Sequence, residues 1–540
     1  MKKYGRWIIL GTVALVLLVL LGWASSRTPP VSRTSEEWSR GRVIGQTPVK
    51  RPVALRPAPG GGVFLVWPNR DDQLEMARVG ADGEVLLDRV LPLEVLTARD
   101  PQLQVGVDGR LHVLWREQSQ SGNMIRYALL DSGGMPLSQS RLSGPTAGAM
   151  GPPRLAQGVD GRLHALWADE AGVYWVVLDG GGEVLEGPTL VVPEGVSPIV
   201  QADASGGLHL LWQQWVGGHV CRIRYATVDP ETGELGDAED FAEITLSGSL
   251  RLQGMTLSLG PDTGYALWSE YNNKFDRYRF GYVFFPLGAP QERQVGHWQL
   301  QQGDGPGAIS SLDGQPSSPL VALSERIVGP RGDFELQIAL ITVGREDVAE
   351  RLVTSSSQAS LEPTLIVDGD SHPHLAWLET AGFGDYGVLY ASTSPGVMEN
   401  YNALTLWDAL DAAFSSVFQI STVLVAVIAS LAAWAVVPLM GLVVYHVFTS
   451  EEMLDTGRSR VAIAVVLMVE VGLSFALPPR FGLDAAWPGL RWVAPVVAAA
   501  VAAVATAWFL RRKVDKHLFL MFFLFTAVNS VLQVVLYLLF

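Results

Sequence analysis

A seven-residue phrase, Gly-x-Leu-His-x-Leu-Trp, recurs at Gly109–Trp115, Gly161–Trp167 and Gly206–Trp212. Looser copies end at Trp67, Trp268 and Trp377. A repeat on this scale constrains the fold more than any local propensity, because each copy is one unit that buries its apolar face against the next. Successive tryptophans lie 48, 52, 45, 56 and 109 residues apart. The last interval is about twice the others, and a degenerate copy with Leu323 in the tryptophan position fills it. That gives seven units, each about the size of a four-stranded propeller blade, for which roughly 40–50 residues is usual.

Each unit has the same internal order. Pro101, Pro153, Pro198 and Pro363 each stand 14 residues before their tryptophan and open a first strand, where a missing N–H is tolerated. A turn such as Asp108-Gly109 or Asp160-Gly161 leads into the Leu-His-x-Leu-Trp strand. A third strand follows, as in Ile125–Leu130 or Ile223–Val228, then a glycine-rich turn such as Asp131–Gly134 and a less regular fourth strand. Alternation, β-branched residues and turns at this rhythm predict all-β structure. Radial closure of seven such units leaves few free strand edges.

These strands and the Asp-x-Gly turns resemble the sialidase-like, BNR-type propeller repeats of bacterial surface proteins, over about Val53 to Ser394. The resemblance implies the propeller fold. The family's Asp-box would read Ser-x-Asp-x-Gly-x-x-Trp, and no turn here completes it; Asp131-Ser132-Gly133-Gly134 lacks the closing tryptophan. The arginine triad, tyrosine nucleophile and acidic partners of sialidases find no matching motif, so no catalytic residue is carried over.

Apolar runs enclose the repeats. The first follows Met-Lys-Lys-Tyr-Gly-Arg and ends near Trp23; four more cover about 417–448, 461–477, 490–510 and 518–540. Their lengths suit membrane-spanning helices. Lys2, Lys3 and Arg6, the pair Arg458 and Arg460, and the loop with Arg511, Arg512, Lys513 and Lys516 all fall on the cytoplasmic side if the repeats lie outside, as the positive-inside rule requires. The predicted organisation is an anchor at 1–26, uncleaved or a signal; a linker at 27–50; an extracytoplasmic propeller at 51–398; an interfacial amphipathic helix at 399–416; and a four-helix transmembrane domain at 417–540.

The chain has 540 residues and a net charge of -15, carried mostly by the repeat region, which argues against nucleic acid as a partner. Its one cysteine, Cys221, excludes an intrachain disulfide and a zinc site built on cysteines. His112, His164, His209 and His374 hold one position in four units, while Phe64 and Tyr265 hold it in two others. Aromatic replacement marks the histidines as structural, and no metal is assigned to them. The tryptophans are read as core between blades. Asp108, Asp160, Asp179, Asp229 and Asp368 sit in turns, where Asp bonds its own backbone; calcium in one such loop is the alternative. No cofactor is otherwise expected.

Glu470 falls in the middle of an apolar segment, where a carboxylate is costly and by default marks a functional site. Thr526, Asn529, Ser530 and Gln533 stand at i, i+3, i+4 and i+7, on one face of the last helix. Glu470 is expected to meet that stripe or a partner subunit. No phosphate loop, nucleophile elbow, zinc-protease helix or CxxC pair occurs. The expected function is a membrane-anchored binding or assembly module, a subunit of a larger membrane complex, with a carbohydrate or protein ligand at the propeller. A surface sialidase-like glycoside hydrolase and a transmembrane sensor are the alternatives.

Overall fold

Seven four-stranded antiparallel sheets follow one another along the chain, one for each repeat. The structure is a computed structural model. It describes residues 37–403 apart from 204, 247, 276, 299–308, 312–319, 329–333, 344–347, 355, 357 and 383, and then residues 429, 432–476, 490–511 and 516–539. The expected first apolar helix, and the expected interfacial helix beyond Ala403, lie outside the described residues.

Blades 1 to 6 run in chain order from the channel outwards, beginning with Ala54–Pro57, Ala98–Val105, Arg154–Gln157, Gly195–Ala202, Leu250–Leu259 and Ile309–Ser311. The Leu-His-x-Leu-Trp phrase forms the second strand of each blade, and its tryptophan packs back against the preceding blade. Trp115 meets Phe64 and Met76 of blade 1, and Trp212 meets Val173 and Val177 of blade 3. Trp67 closes the ring by packing on Ala376, Leu378 and Tyr390 of blade 7. All six repeat tryptophans are fully buried. Truncating a side chain of that size costs about 3–5 kcal/mol, so these contacts carry much of the cohesion between blades. In blade 6 Leu323 takes the tryptophan position and packs with Leu267 and Phe280 of blade 5.

Blade 7 consists of Ser360–Val367, Pro373–Gly382 and Asp385–Ser392, and its outermost strand comes from the other end of the chain: Arg42–Thr47 pairs antiparallel with Asp385–Ser392. The expected linker at 27–50 therefore contains the strand that fastens the ring. It escaped the repeat pattern because an outer strand has one paired edge and little burial to impose a signature. Gly45 of this strand lies against the Trp67 ring, where a Cβ would come within 2.2 Å of the indole.

The helix Pro395–Asn402 belongs to the propeller unit. Tyr401 Oη donates to Gly83 O at 2.8 Å and Asn400 Nδ2 to Asp82 O at 3.0 Å, both in the third-to-fourth-strand turn of blade 1. Strand Arg42–Thr47 starts opposite Tyr390, near the end of Asp385–Ser392. Both chain connections therefore leave the propeller at one face, that of the Asp-Gly turns. The opposite face carries the starts of the inner strands and the hairpins between second and third strands.

The second unit is helical. Ala432–Thr449, Gly457–Ala476 and Trp492–Arg511 are long and apolar enough to cross a membrane, and Leu518–Leu539 is a further apolar helix. Leu454 N donates to Lys516 O at 3.0 Å and Leu518 N to Glu452 O at 2.9 Å, so the loops before Gly457 and Leu518 share one end of the bundle.

Candidate functional site

The inner strands enclose a central cavity of about 310 Å³. It is polar where their side chains reach it, with Arg56, Gln102, Gln104, Arg154, Gln157, Gln201, Thr256 and Thr364 among the lining residues. Arg56 Nε donates to Gln104 Oε1 at 3.1 Å, and Gln104 Nε2 to Gln157 Oε1 at 3.2 Å, an amide ladder across blades 1, 2 and 3. Among the described residues no carboxylate and no tyrosine lines this cavity.

The inner strands start at the hairpin face. There the inner strands of blades 2, 4 and 7 open with a residue at positive φ before the proline: Asp100 (52°), Ser197 (53°) and Glu362 (50°). Each Xaa-Pro pair falls in a register break of its ladder, between Arg99 and Gln102, Val196 and Ile199, and Leu361 and Thr364. In these three blades the repeated proline is thus part of a bulge rather than the start of the strand, whereas Pro153 immediately precedes its strand, Arg154–Gln157; left-handed non-glycine backbone of this kind stores strain where the surroundings over-determine it. Asp100 is buried and pairs with Arg116 at 2.7 Å and Arg51 at 3.5 Å. Burial raises Glu362 above the usual carboxylate range, against the pull of Lys50 and Arg51. Arg154 stands inside this rim. Burial lowers its pKa, Asp100 opposes that, and its Nε is buried without a hydrogen-bond partner.

The repeated histidines lie at the turn face. His209 and His374 each bridge two groups: Nδ1 meets Tyr225 Oη at 2.6 Å and Tyr390 Oη at 2.7 Å, while Nε2 meets Asp203 at 3.0 Å and Asp368 at 3.1 Å. His112 meets Tyr127 Oη at 2.7 Å. His164 has no hydrogen bond at either nitrogen and packs on the Trp175 ring at 5.2 Å. Burial pushes both His112 and His164 down to about 4. Turn aspartates accept from their own backbone: Asp179 Oδ1 from Gly181 N and Glu183 N, both at 2.8 Å, and Asp229 Oδ1 from Glu231 N at 2.8 Å. Asp108 and Asp160 likewise accept from Arg110 N and Arg162 N, at 3.0 Å each. Asp368, Asp370 and His372 bring one ligand atom each within 4.8 Å of one another. That is fewer oxygens than the six to eight calcium takes.

A second polar series, acidic in five of the seven blades, was missed in the sequence although it repeats there. Asn69, Glu117, Asp169, Gln214, Glu270, Glu325 and Glu379 each stand two residues after the repeat position, on the same face of the strand. Trp268 Nε1 donates to Glu270 Oε1 at 2.9 Å and Trp377 Nε1 to Glu379 Oε1 at 3.3 Å. Arg279 pairs with Glu270 at 2.8 Å, Arg224 with Asp240 at 2.7 Å and Arg126 with Glu117 at 3.8 Å. These third-strand arginines are therefore neutralised locally.

In the helical unit Thr526 Oγ1 donates to Glu470 Oε2 at 2.6 Å, Asn529 Nδ2 to Glu470 Oε1 at 3.2 Å, and Gln533 Nε2 to Asn529 Oδ1 at 3.1 Å. Ser530 is buried on the same face, and its hydroxyl has no hydrogen-bond partner. The carboxylate and the stripe thus join Gly457–Ala476 to Leu518–Leu539.

No protein-family model and no curated protein matches the chain. Solved structures of similar fold include the polysaccharide lyase Uly1, with TM-score 0.46 and 12% identity over 64% of this chain and 90% of that one. A ulvan lyase matches with TM-score 0.48 and 11% identity over 66% and 95%. The Hadza microbial sialidase Hz136 matches with TM-score 0.38 and 11% identity over 61% and 76%. At these identities the likeness is one of fold.

Proposed function

We propose that this protein is a membrane-anchored binding module: an extracytoplasmic propeller that presents its hairpin face and channel mouth to a ligand or partner, as a subunit of a larger membrane assembly. One observation carries the reading. Both ends of the propeller unit leave it at the turn face, so the hairpin face carries neither chain connection. That face exposes Trp215 and Phe275 at the hairpins of blades 4 and 5, aromatic types enriched at recognition surfaces. Orientation follows from charge. The end of the bundle where the two loops hydrogen-bond carries Lys516 and, in the first turn of Gly457–Ala476, Arg458 and Arg460, and the positive-inside rule favours the cytoplasm for that end. Glu470 and its stripe hold the anchor together.

The test is mild detergent extraction of the tagged full chain and identification of what co-purifies. A stoichiometric membrane or surface protein, lost when Trp215 and Phe275 are both replaced by Ser, is the expected result. A chain that extracts alone at native abundance would contradict the assembly role.

A further inference from the structure

We infer that the propeller channel is an oxyanion site, taking a carboxylate, sulfate or phosphate on Arg154 and Arg56. The inference deepens the binding role proposed above by giving the ligand its chemistry. The chain as a whole is acidic, at -15, yet the charged residues that line the cavity are two arginines. Among the described residues neither makes an ion pair. Arg56 bonds the neutral Gln104 and Leu55 carbonyl oxygens, each at 3.1 Å. Arg154 Nε is buried and has no hydrogen-bond partner among the described residues. The nearest acid, Asp100, is already held by Arg116 and Arg51.

A guanidinium cannot shed its charge, and a buried charge without a partner is costly. Arg224, Arg279 and Arg116, by contrast, all have carboxylate partners. A planar fork of donors facing an open polar cavity matches an oxyanion, and Arg engages such groups in bidentate fashion. Gln102, Gln201 and Thr256 add neutral polar groups to the lining, suited to the hydroxyls or ester oxygens that would accompany the anion.

The full-length protein in an uncharged detergent is titrated with sulfate, phosphate and glucuronate, against chloride at equal ionic strength, by calorimetry and thermal unfolding. At least one oxyanion should bind and raise Tm where chloride does not, and the one that binds best identifies the group. Arg154→Gln should weaken that binding at least tenfold while leaving the anion-free Tm equal or higher, because it removes an unpaired charge. Arg154→Lys should fall between the two. An unresponsive wild type, an Arg154→Gln protein that binds as well, or one whose anion-free Tm falls would each overturn the inference. Co-purification is scored separately: partners retained by a wild type that binds no oxyanion would leave the binding role standing and remove the channel site.

Discussion

The histidines show how one residue type at one repeated position can do different work. His209 and His374 tie a turn aspartate to a tyrosine of the neighbouring strand, so each satisfies two buried polar groups. Removing either by Ala should cost about 1–3 kcal/mol, the desolvation of the partners left unpaired, read as a fall in thermal stability. His164 has no such bonds. With its pKa near 4 against 6.5 unfolded, it stays neutral in the native state while the unfolded chain takes up a proton. Its contribution is therefore complete above pH about 6.5 and is lost as pH falls towards about 4. His164→Phe, the residue type blade 1 carries as Phe64, should leave stability at pH 8 nearly unchanged and raise it at pH 5. Thermal unfolding at the two pH values checks this, and a variant that loses equally at both would show a hydrogen-bonded role for His164.

At the scale of strands and blades, what the sequence made legible follows from burial. The second strand is buried on both faces, so its tryptophan survives in six blades, with the full Leu-His-x-Leu-Trp signature in three, and the count of seven can be read by spacing. Strand Arg42–Thr47 has no such constraint and reads as linker. The inner-strand cations were hidden for a different reason: Arg154 and Arg56 occupy non-equivalent positions, and only ring closure brings them to one cavity. Packing between strands also fixes glycines that carry no sequence motif. Gly281 lies directly opposite Trp268, where a Cβ would come within 2.2 Å of the indole. Gly281→Val should destabilise by about 1–3 kcal/mol through overpacking, measured by denaturant or thermal unfolding. A neutral result would mean the indole can move aside.

At the scale of the whole molecule, the chain combines a seven-bladed ring, whose two chain connections leave at one face, with a helical unit that has a polar centre. In that anchor Glu470→Leu removes the acceptor of Thr526 and Asn529 and should lower the yield and melting temperature of the extracted protein. Glu470→Gln, which keeps an acceptor, should be close to wild type. Equal loss in both variants would point to a need for the charge itself. The central claim is that the hairpin face, away from the chain connections, is the working surface. Photo-cross-linking residues placed in intact membranes at Trp215 and Phe275 of that face, and at Val107 and Val159 of the exposed turns, test it directly. Discrete adducts from the first pair, absent from the second, are predicted; adducts from the turn positions alone, or from none of the four, would contradict it.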